Sequence, residues 1–310
     1  VMLFALLLGM AVNFLSEDER CKPGIEFVAR QVLRWGVALL GLKITIDQVQ
    51  ALGWQSVVMV VLAVALTIGL GIWIAKWMGF SPFFGLLSGG AVGICGASAA
   101  LAIAAAFPNH PQKDRATLFV VISVSTLSTI AMVLYPMLAH WQAFDAQQAG
   151  FFLGSTIHDV AQVVGAGYSM NQQTGDTATV VKLMRVGMLV PVIMVAAWMT
   201  RMAHAQQARD GMAVDASTNR PPLLPWFAVM FVLLVLLNSF VRLPDVVAST
   251  GQTLSRTFLV AAMAAIGIKT HLKDILSVGW KPVALMVLET LFLATLVGGY
   301  LWLPLYQIIS

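Results

Sequence analysis

The stretch Gly41-Leu-Lys-Ile-Thr-Ile-Asp-Gln-Val-Gln-Ala-Leu-Gly-Trp54 aligns without a gap on Gly267-Ile-Lys-Thr-His-Leu-Lys-Asp-Ile-Leu-Ser-Val-Gly-Trp280. The same register continues outward and pairs Leu33 with Leu259. An odd number of predicted membrane crossings separates the two copies, so the copies should run in opposite directions. Inverted repeats of this kind are typical of secondary transporters.

Composition places the whole chain in a lipid bilayer. Hydrophobic residues make up 59% of the sequence and charged residues only 10%, with a mean hydropathy of +0.86. Soluble proteins carry roughly a quarter charged residues. A membrane span takes about 20 mostly apolar residues, and such stretches recur along the chain. We therefore predict a single all-α integral membrane domain over residues 1–310, with about ten transmembrane helices.

The apolar segments also predict where the spans and connectors lie. One polar connector, 204–221, is long, and the distribution of Lys and Arg places it on the cytoplasmic side. The same rule puts the first residue at the outer face, which predicts one further helix before it. After an apolar run at 1–15, the predicted helices are 25–44, 54–79, 82–106, 115–140, 147–169, 177–203, 222–240, 246–269 and 283–308.

Charge and cysteine usage exclude several classes of function. The formal net charge is +4 and the pI about 9.2, but the basic residues are scattered between apolar segments and form no patch for nucleic acid. The two cysteines, Cys21 and Cys95, have no metal-ligand spacing and make a disulfide framework improbable. No ATP-binding loop is present. We therefore expect no cofactor, no metal and no nucleic-acid partner.

The segment from Ser88 to Ser98 has four glycines in eleven positions. Each glycine inside a helix costs about 1 kcal/mol relative to alanine, so the segment predicts a helix break. A break within a membrane is tolerated where it is buried in protein or lines a watery cavity, and the half-helix ends then offer dipoles to a bound ion. The alternative is that these small residues simply let helices pack closely.

A second polar cluster lies at 154–167, in an otherwise apolar span predicted as one helix. Its polar residues are Thr156, His158, Asp159 and Gln162. On a continuous helix His158 and Gln162 share one face, and Ser155 and Asp159 share another. Ionisable residues at this depth normally face a cavity or a partner, so we predict a proton- or ion-coupled substrate site. Interhelical hydrogen bonding that merely locks the bundle is the alternative.

Further charges lie within apolar spans. Lys182 and Arg185 share one helix face and could neutralise Asp159 or hold an anionic substrate, unless they snorkel at the helix end. Arg30 and Arg34 are interpreted as snorkelling near the cytoplasmic side. A carboxyl in the last span, that of Glu289, is a separate candidate outside the repeated framework.

Four segments resemble the YeiH family of bacterial membrane proteins, and the resemblance extends over essentially the whole chain. They are Gly-Ile-Cys-Gly-Ala-Ser-Ala at 93–99, Gly-Ser-Thr-Ile-His-Asp-Val-Ala-Gln-Val-Val at 154–164, Lys-Leu-Met-Arg-Val-Gly-Met-Leu-Val-Pro at 182–191 and Ala-Met-Ala-Ala-Ile-Gly-Ile-Lys-Thr at 262–270. The resemblance implies a multi-pass protein of the bacterial inner membrane. It also implies inverted repeats and interrupted helices similar to those of cation/proton antiporters and bile-acid symporters, and a sulfate-exporter function is commonly ascribed to the family.

The resemblance and the intramembrane charges together give the expected substrate and ion site. The broken helix is expected to donate backbone N–H groups, the two cations positive charge, and His158 with Asp159 the coupling proton. The expected site residues are Gly93, Cys95, Gly96, Ser98, Thr156, His158, Asp159, Gln162, Lys182 and Arg185.

We therefore expect a secondary active transporter that exports a small, sulfate-like anion by alternating access. Its partners would be that anion, a coupling ion and the lipid bilayer, and a homo-oligomer is compatible with the sequence. One alternative is a sodium- or proton-coupled carrier of an organic carboxylate or another solute, with Asp159 as the cation ligand. An intramembrane enzyme would use Cys95 as nucleophile and His158 as base, but no hydrolase motif surrounds them, so we expect no enzymatic activity. A non-transporting receptor is a further alternative.

Overall fold

The computed structural model describes residues 2–42, 46, 53–107, 111–196, 198–199, 226–241, 244–269 and 280–302. Within these ranges all regular secondary structure is helical, which confirms the predicted all-helical class. The connector 204–221 and most of the two aligned repeat segments lie outside the described residues. The α-helices are α1 (Met2–Ala11), α2 (Lys22–Phe27), α3 (Leu33–Leu40), α4 (Gly53–Trp77), α5 (Pro82–Gly90), α6 (Ala97–Ala105), α7 (Pro111–Trp141), α8 (Ala146–Thr156), α9 (Val160–Met170), α10 (Gln172–Gly187), α11 (Trp226–Phe240), α12 (Asp245–Lys269) and α13 (Trp280–Trp302).

Five helical segments among the described residues are long and apolar enough to cross a membrane. Exposed tryptophans mark both ends of α4 and of α13, as expected where aromatic rings sit at the two membrane interfaces. At 1.5 Å per residue, Trp54 and Trp77 lie about 35 Å apart along the helix axis, close to the thickness of a bilayer core. The five segments are Gly53–Trp77, Arg115–Trp141, Gln172–Ala196, Ser249–Lys269 and Trp280–Trp302.

The described helices pack as two groups. The first group contains α1, α2, α3, α11 and α12, and the second contains α4 to α10 together with α13. Within the second group, glycines bring helices close together: a Cβ added to Gly85 would lie 2.5 Å from the carbonyl oxygen of Gly71 on α4. Contacts between the two groups involve few helices, mainly α1 and α12 of the first group and α9 of the second.

Within the first group, α2 and α3 run antiparallel to α12. Lys269 at the end of α12 bonds Glu26 on α2 at 3.3 Å, whereas Ser255, earlier in α12, donates to the carbonyl oxygen of Gly36 on α3 at 2.7 Å. The side chain of Leu259 lies against Gly36. Later residues of one segment therefore face earlier residues of the other.

Two predicted spans are broken near their middle. The Gly-rich segment breaks at Gly96, as its glycines predict. The prediction of one continuous helix over 147–169 is wrong, because the chain is extended at Ile157 (ψ 138°) and again at Asp159 (ψ 140°). The pairs expected to share helix faces across this motif are therefore not on one helix.

Candidate functional site

The two breaks lie against each other in the second helix group. A Cβ added to Gly96 would lie 3.6 Å from the carbonyl carbon and oxygen of His158 and 3.8 Å from the backbone nitrogen of Asp159. Each broken helix therefore contributes one C-terminal half-helix end and one N-terminal end to the same small region. Four helix dipoles meet there, two ends being negative and two positive.

The first break depends on a backbone conformation that glycine can adopt. Helix α5 continues into a wide π-helical turn over Ala91–Cys95, and Gly96 then adopts φ 66° and ψ −132° before α6 begins at Ala97. Backbone of this kind is essentially restricted to glycine. The N–H of Gly96 donates to the carbonyl oxygen of Ala91 at 2.9 Å, so this donor is already used.

The second break uses polar caps instead of glycine. Helix α8 ends at Thr156, and α9 begins at Val160 with Asp159 as its N-cap residue, whose Oδ1 accepts the N–H of Ala161 at 2.9 Å. The N–H of Asp159 itself donates to Ser128 Oγ on α7 at 2.9 Å. An Asp at this position satisfies one of the free N–H groups of the helix start.

Lys182 is fully buried and donates its ammonium hydrogens to both C-terminal ends. Its Nζ lies 2.6 Å from the carbonyl oxygen of Ile94 and 3.0 Å from that of Ile157, and it also bonds the carbonyl oxygen of His158. Three donors of one ammonium thus meet three carbonyl oxygens that the breaks leave without helical partners.

Arg185, one turn further along α10, also donates hydrogen bonds to the negative C-terminal ends of both broken helices. Its Nη2 and Nε donate to the carbonyl oxygens of Val92 (2.7 Å) and Gly93 (2.8 Å) on the first broken helix. Its Nη1 donates to those of Gly154 and Ile157, both at 3.1 Å, on the second. The two cations therefore hold the negative half-helix ends together.

Of the other buried polar side chains of the motif, His158 and Gln162 contact neighbouring helices, whereas Thr156 bonds within its own helix. His158 Nε2 lies 3.0 Å from Thr290 Oγ1 on α13, and its ring is fully buried. Gln162 Nε2 donates to Thr129 Oγ1 on α7 at 2.8 Å. Thr156 Oγ1 donates within its own helix, to the carbonyl oxygen of Phe152 at 2.6 Å.

A cavity of about 540 Å³ lies between the two helix groups, next to the breaks. From the second group it is lined by the N-terminal ends of α6 and α9 and by polar residues of α7. From the first group it is lined by α3, the π-helical turn before it, α11 and the end of α12. The polar lining residues are Arg30, Arg34, Cys95, Ser98, Ser125, Thr126, Thr129, Asp159, Gln162 and Lys269.

The charges around this cavity are mainly positive. Among the described lining residues, Arg30, Arg34 and Lys269 are cations and Asp159 is the one carboxylate. The start of α6 has no side-chain cap, so its first N–H groups add further positive potential beside Ser98. An arrangement of this kind can attract and hold a small anion.

The predicted site residues divide between two locations. Cys95, Ser98, Asp159 and Gln162 line the cavity. The remainder lie behind the cavity wall, at the crossing of the two breaks or within the helices that form it; they are Gly93, Gly96, Thr156, His158, Lys182 and Arg185.

Arg30 and Arg34, which are interpreted from the sequence as snorkelling near the cytoplasmic side, both line the cavity, where Arg34 is half-buried. The feature of the sequence that indicated a shared role for the two arginines is their spacing of one helical turn within an apolar helix. Lys269 lies within the closing segment of the resemblance, 262–270, and was not among the predicted site residues. The three cations among the described lining residues come from the first helix group, whereas three of the four motif segments lie in the second.

Comparison with known proteins identifies the family. The family model described as Conserved hypothetical protein 698 matches residues 1–286. The chain is 53% identical over 304 residues to UPF0324 membrane protein CT0845 of Chlorobaculum tepidum, covering 97% of this chain and 83% of the relative. It is 49% identical to UPF0324 membrane protein TauZ of Paracoccus denitrificans, covering 96% and 86%.

The resemblance inferred from the sequence motifs is thereby confirmed. The chain is 32% identical over 300 residues to UPF0324 inner membrane protein YeiH of Salmonella typhi, covering 95% of this chain and 82% of the relative. No solved structure matches the chain. The chain belongs to the UPF0324 family, which includes YeiH, and is a multi-pass protein of the bacterial inner membrane.

Proposed function

We propose that this protein is a secondary transporter that moves a small anion across the inner membrane by alternating access. The observation that carries the proposal is the cavity beside the two breaks, where Asp159 and the uncapped start of α6 meet Arg30, Arg34 and Lys269. Midplane sites between broken helices are typical of secondary transporters, because half-helix ends supply charge without a charged side chain.

The charge balance favours an anion as the transported solute. Three cations and one carboxylate are among the described lining residues, and Glu26 offsets one of the cations by its bond to Lys269. Arg34 is half-buried, so its guanidinium interacts through a lower effective dielectric than an exposed one. A guanidinium and a row of backbone N–H groups match the oxygen atoms of a sulfate-like anion or a carboxylate.

The arrangement of the helices supports alternating access. The aligned copies place α3 and α12 in equivalent positions, and these segments run antiparallel, as an inverted repeat requires. The cavity lies between two helix groups that are linked by few helices, so a movement of one group against the other could expose it to either side.

The cavity would open toward the cytoplasm in the observed state. Exposed Arg30 and the partly exposed Lys269 line it at the end of the bundle where the positively charged segments predict the cytoplasmic side. We therefore infer an inward-open conformation.

Asp159 is the residue we assign to the coupling ion. It lines the cavity, whereas His158 is fully buried against Thr290. Its Oδ1 caps α9 by accepting the N–H of Ala161, and its position in the cavity lining lets a proton or a cation reach the carboxyl group. Oxygen ligands nearby, those of Ser125 and Thr129, favour sodium in the alternative mechanism, in which an organic carboxylate or another solute is carried.

The test is flux into vesicles that contain the purified protein. Sulfate, sulfite, thiosulfate and small carboxylates are offered in turn, with a proton gradient and then with a sodium gradient at fixed pH. The proposal expects one of these anions to accumulate against its gradient; dependence on sodium would select the carboxylate-carrier alternative. Full transport by both Asp159→Asn and Lys182→Ala would reject this site. A Cys95→Ala variant that keeps full activity would remove the enzymatic alternative.

A further inference from the structure

A buried carboxyl group lies outside the cavity, in the middle of α13. Glu289 is fully buried, and its Oε2 has no hydrogen-bond partner among the described residues. Its Oε1 lies 2.7 Å from Ser88 Oγ on α5. No ion pair to this carboxyl occurs within the described part of the chain, so its charge would be uncompensated if it were ionised.

The hydroxyl of Ser88 indicates the protonation state. Ser88 Oγ is close to two acceptors, Glu289 Oε1 at 2.7 Å and the carbonyl oxygen of Gly85 at 3.3 Å. A hydroxyl group has one hydrogen to donate but can accept as well. Both contacts are hydrogen bonds at the same time when Glu289 is protonated: its O–H donates to Ser88, and Ser88 donates to Gly85.

An ionised Glu289 would be much less well solvated. Ser88 would then donate to Oε1 and give up Gly85, and Oε2 would remain a bare anionic oxygen in the core of a membrane protein. A buried, unpaired carboxylate is costly, and such a group normally becomes neutral instead. The hydrogen-bond geometry and the burial therefore favour the same neutral form.

The space around the carboxyl excludes a larger ligand. Glycines on α4 and α5 bring these helices against α13: a Cβ on Gly71 would overlap Glu289 Oε1 and lie 2.8 Å from the carbonyl oxygen of Gly85. The described groups that lie against Oε1 are thus the hydroxyl of Ser88 and backbone atoms of α4 and α5. One further titratable side chain contacts α13 close to this carboxyl: His158 is hydrogen-bonded to Thr290, the residue that follows Glu289. A hydrated cation does not fit, whereas a proton does.

We propose that Glu289 and Ser88 form a proton-binding site, separate from Asp159, in which Glu289 carries a proton at neutral pH. Adjacent residues of α13 then hold both broken helices, Glu289 through Ser88 on the first and Thr290 through His158 on the second. Loss of this proton would change the contact between α13 and the first broken helix. The site does not depend on the identity of any transported solute.

Infrared difference spectroscopy of the purified protein at neutral pH tests the site. A protonated carboxyl has a C=O stretching band, well separated from carboxylate bands, that shifts in heavy water. We expect this band in the wild type and its loss in Glu289→Gln, a nearly isosteric neutral change. Glu19→Gln, a change to an exposed carboxylate, should leave the band unaltered.

A second variant covers the case in which Glu289→Gln does not fold. Ser88→Ala removes the acceptor of the Glu289 proton, so the band should move to higher frequency, as expected for a carboxyl group without a hydrogen bond. The proposal is overturned if the folded Glu289→Gln protein has the wild-type spectrum. It is equally overturned if Ser88→Ala leaves the band of the wild type unchanged, or if the wild type has no such band.

Discussion

Lys182 Nζ donates a hydrogen bond of 2.6 Å to the carbonyl oxygen of Ile94, which lies 88 residues earlier in the chain. This carbonyl belongs to the final turn of the first half-helix, where the helix dipole leaves partial negative charge. The same ammonium also binds the second break. The positive charge of α10 is therefore used to hold two negative helix ends together, and the positive helix ends remain at the cavity.

Replacing Lys182 should destabilise the protein by about 2 kcal/mol or more. A Lys182→Met change keeps most of the side-chain volume but leaves the carbonyl oxygens of Ile94 and His158 without this donor, and each such loss costs about 1 to 3 kcal/mol. Thermal unfolding in detergent measures the loss. Lys76→Met, at the exposed end of α4, is the matched control and should unfold like the wild type. Equal melting of both variants would contradict the role assigned to Lys182.

A side chain at Gly96 should strain the first break. Gly96→Ala should cost about 1 to 3 kcal/mol, because φ 66° with ψ −132° is unfavourable for any L side chain. The added Cβ itself meets only ordinary contacts, at 3.6 Å from His158, so the cost comes from the backbone. Thermal unfolding again provides the readout.

Gly69 on α4 provides the matched control for that change. A Cβ there meets nothing within 4 Å, so Gly69→Ala should be neutral or stabilise by less than about 1 kcal/mol. If Gly96→Ala is as stable as Gly69→Ala, the break does not require the backbone conformation described above.

The sequence predicted the first break but not the second, and the reason is local chemistry. Four glycines within Ser88–Ser98 are a direct signal, whereas Ile157 and His158 include no residue that disfavours a helix. The second break is stabilised from outside by Lys182 and Arg185, more than 20 residues away in sequence. Partners that distant leave no local pattern, so their role could not be read from the motif itself.

The same limit applies to the cavity. Asp159 and Gln162 were recognisable because polar residues interrupt an apolar span, and both line the cavity. Arg30, Arg34 and Lys269 come from the other helix group and reach the same space only through packing. Their charges were visible in the sequence, but a position near a helix end is equally typical of snorkelling.

Arg34 should contribute to anion binding. Thermal-shift titration with sulfate, sulfite, thiosulfate and small carboxylates finds an anion that stabilises the wild type, since a ligand that binds only the folded state raises the melting temperature. Arg34→Gln should weaken its apparent Kd at least about tenfold, as expected for the loss of a hydrogen bond to a charged group. Arg20→Gln changes an exposed arginine outside the cavity and is the control. The same Kd for both variants would exclude Arg34 from the binding site.

The cavity should be accessible to water at Ser98. In a background with Cys21 and Cys95 replaced, Ser98→Cys should react with a water-soluble maleimide, because Ser98 is exposed and lines the cavity. Ser155→Cys should not react, because Ser155 is only 1% exposed. Labelling is measured by the mass increase of the intact protein. An inert Ser98→Cys would mean that this space is closed to solutes.

Coupled anion flux by Asp159→Asn in vesicles decides whether the cavity is the transport site. Asparagine also caps helices well, so this change removes the charge while keeping the start of α9. We predict that wild-type protein and Glu19→Gln accumulate the anion under an ion gradient and that Asp159→Asn does not. Accumulation by Asp159→Asn at the wild-type rate, with the same dependence on the gradient, would contradict the assignment of the coupling ion to this cavity.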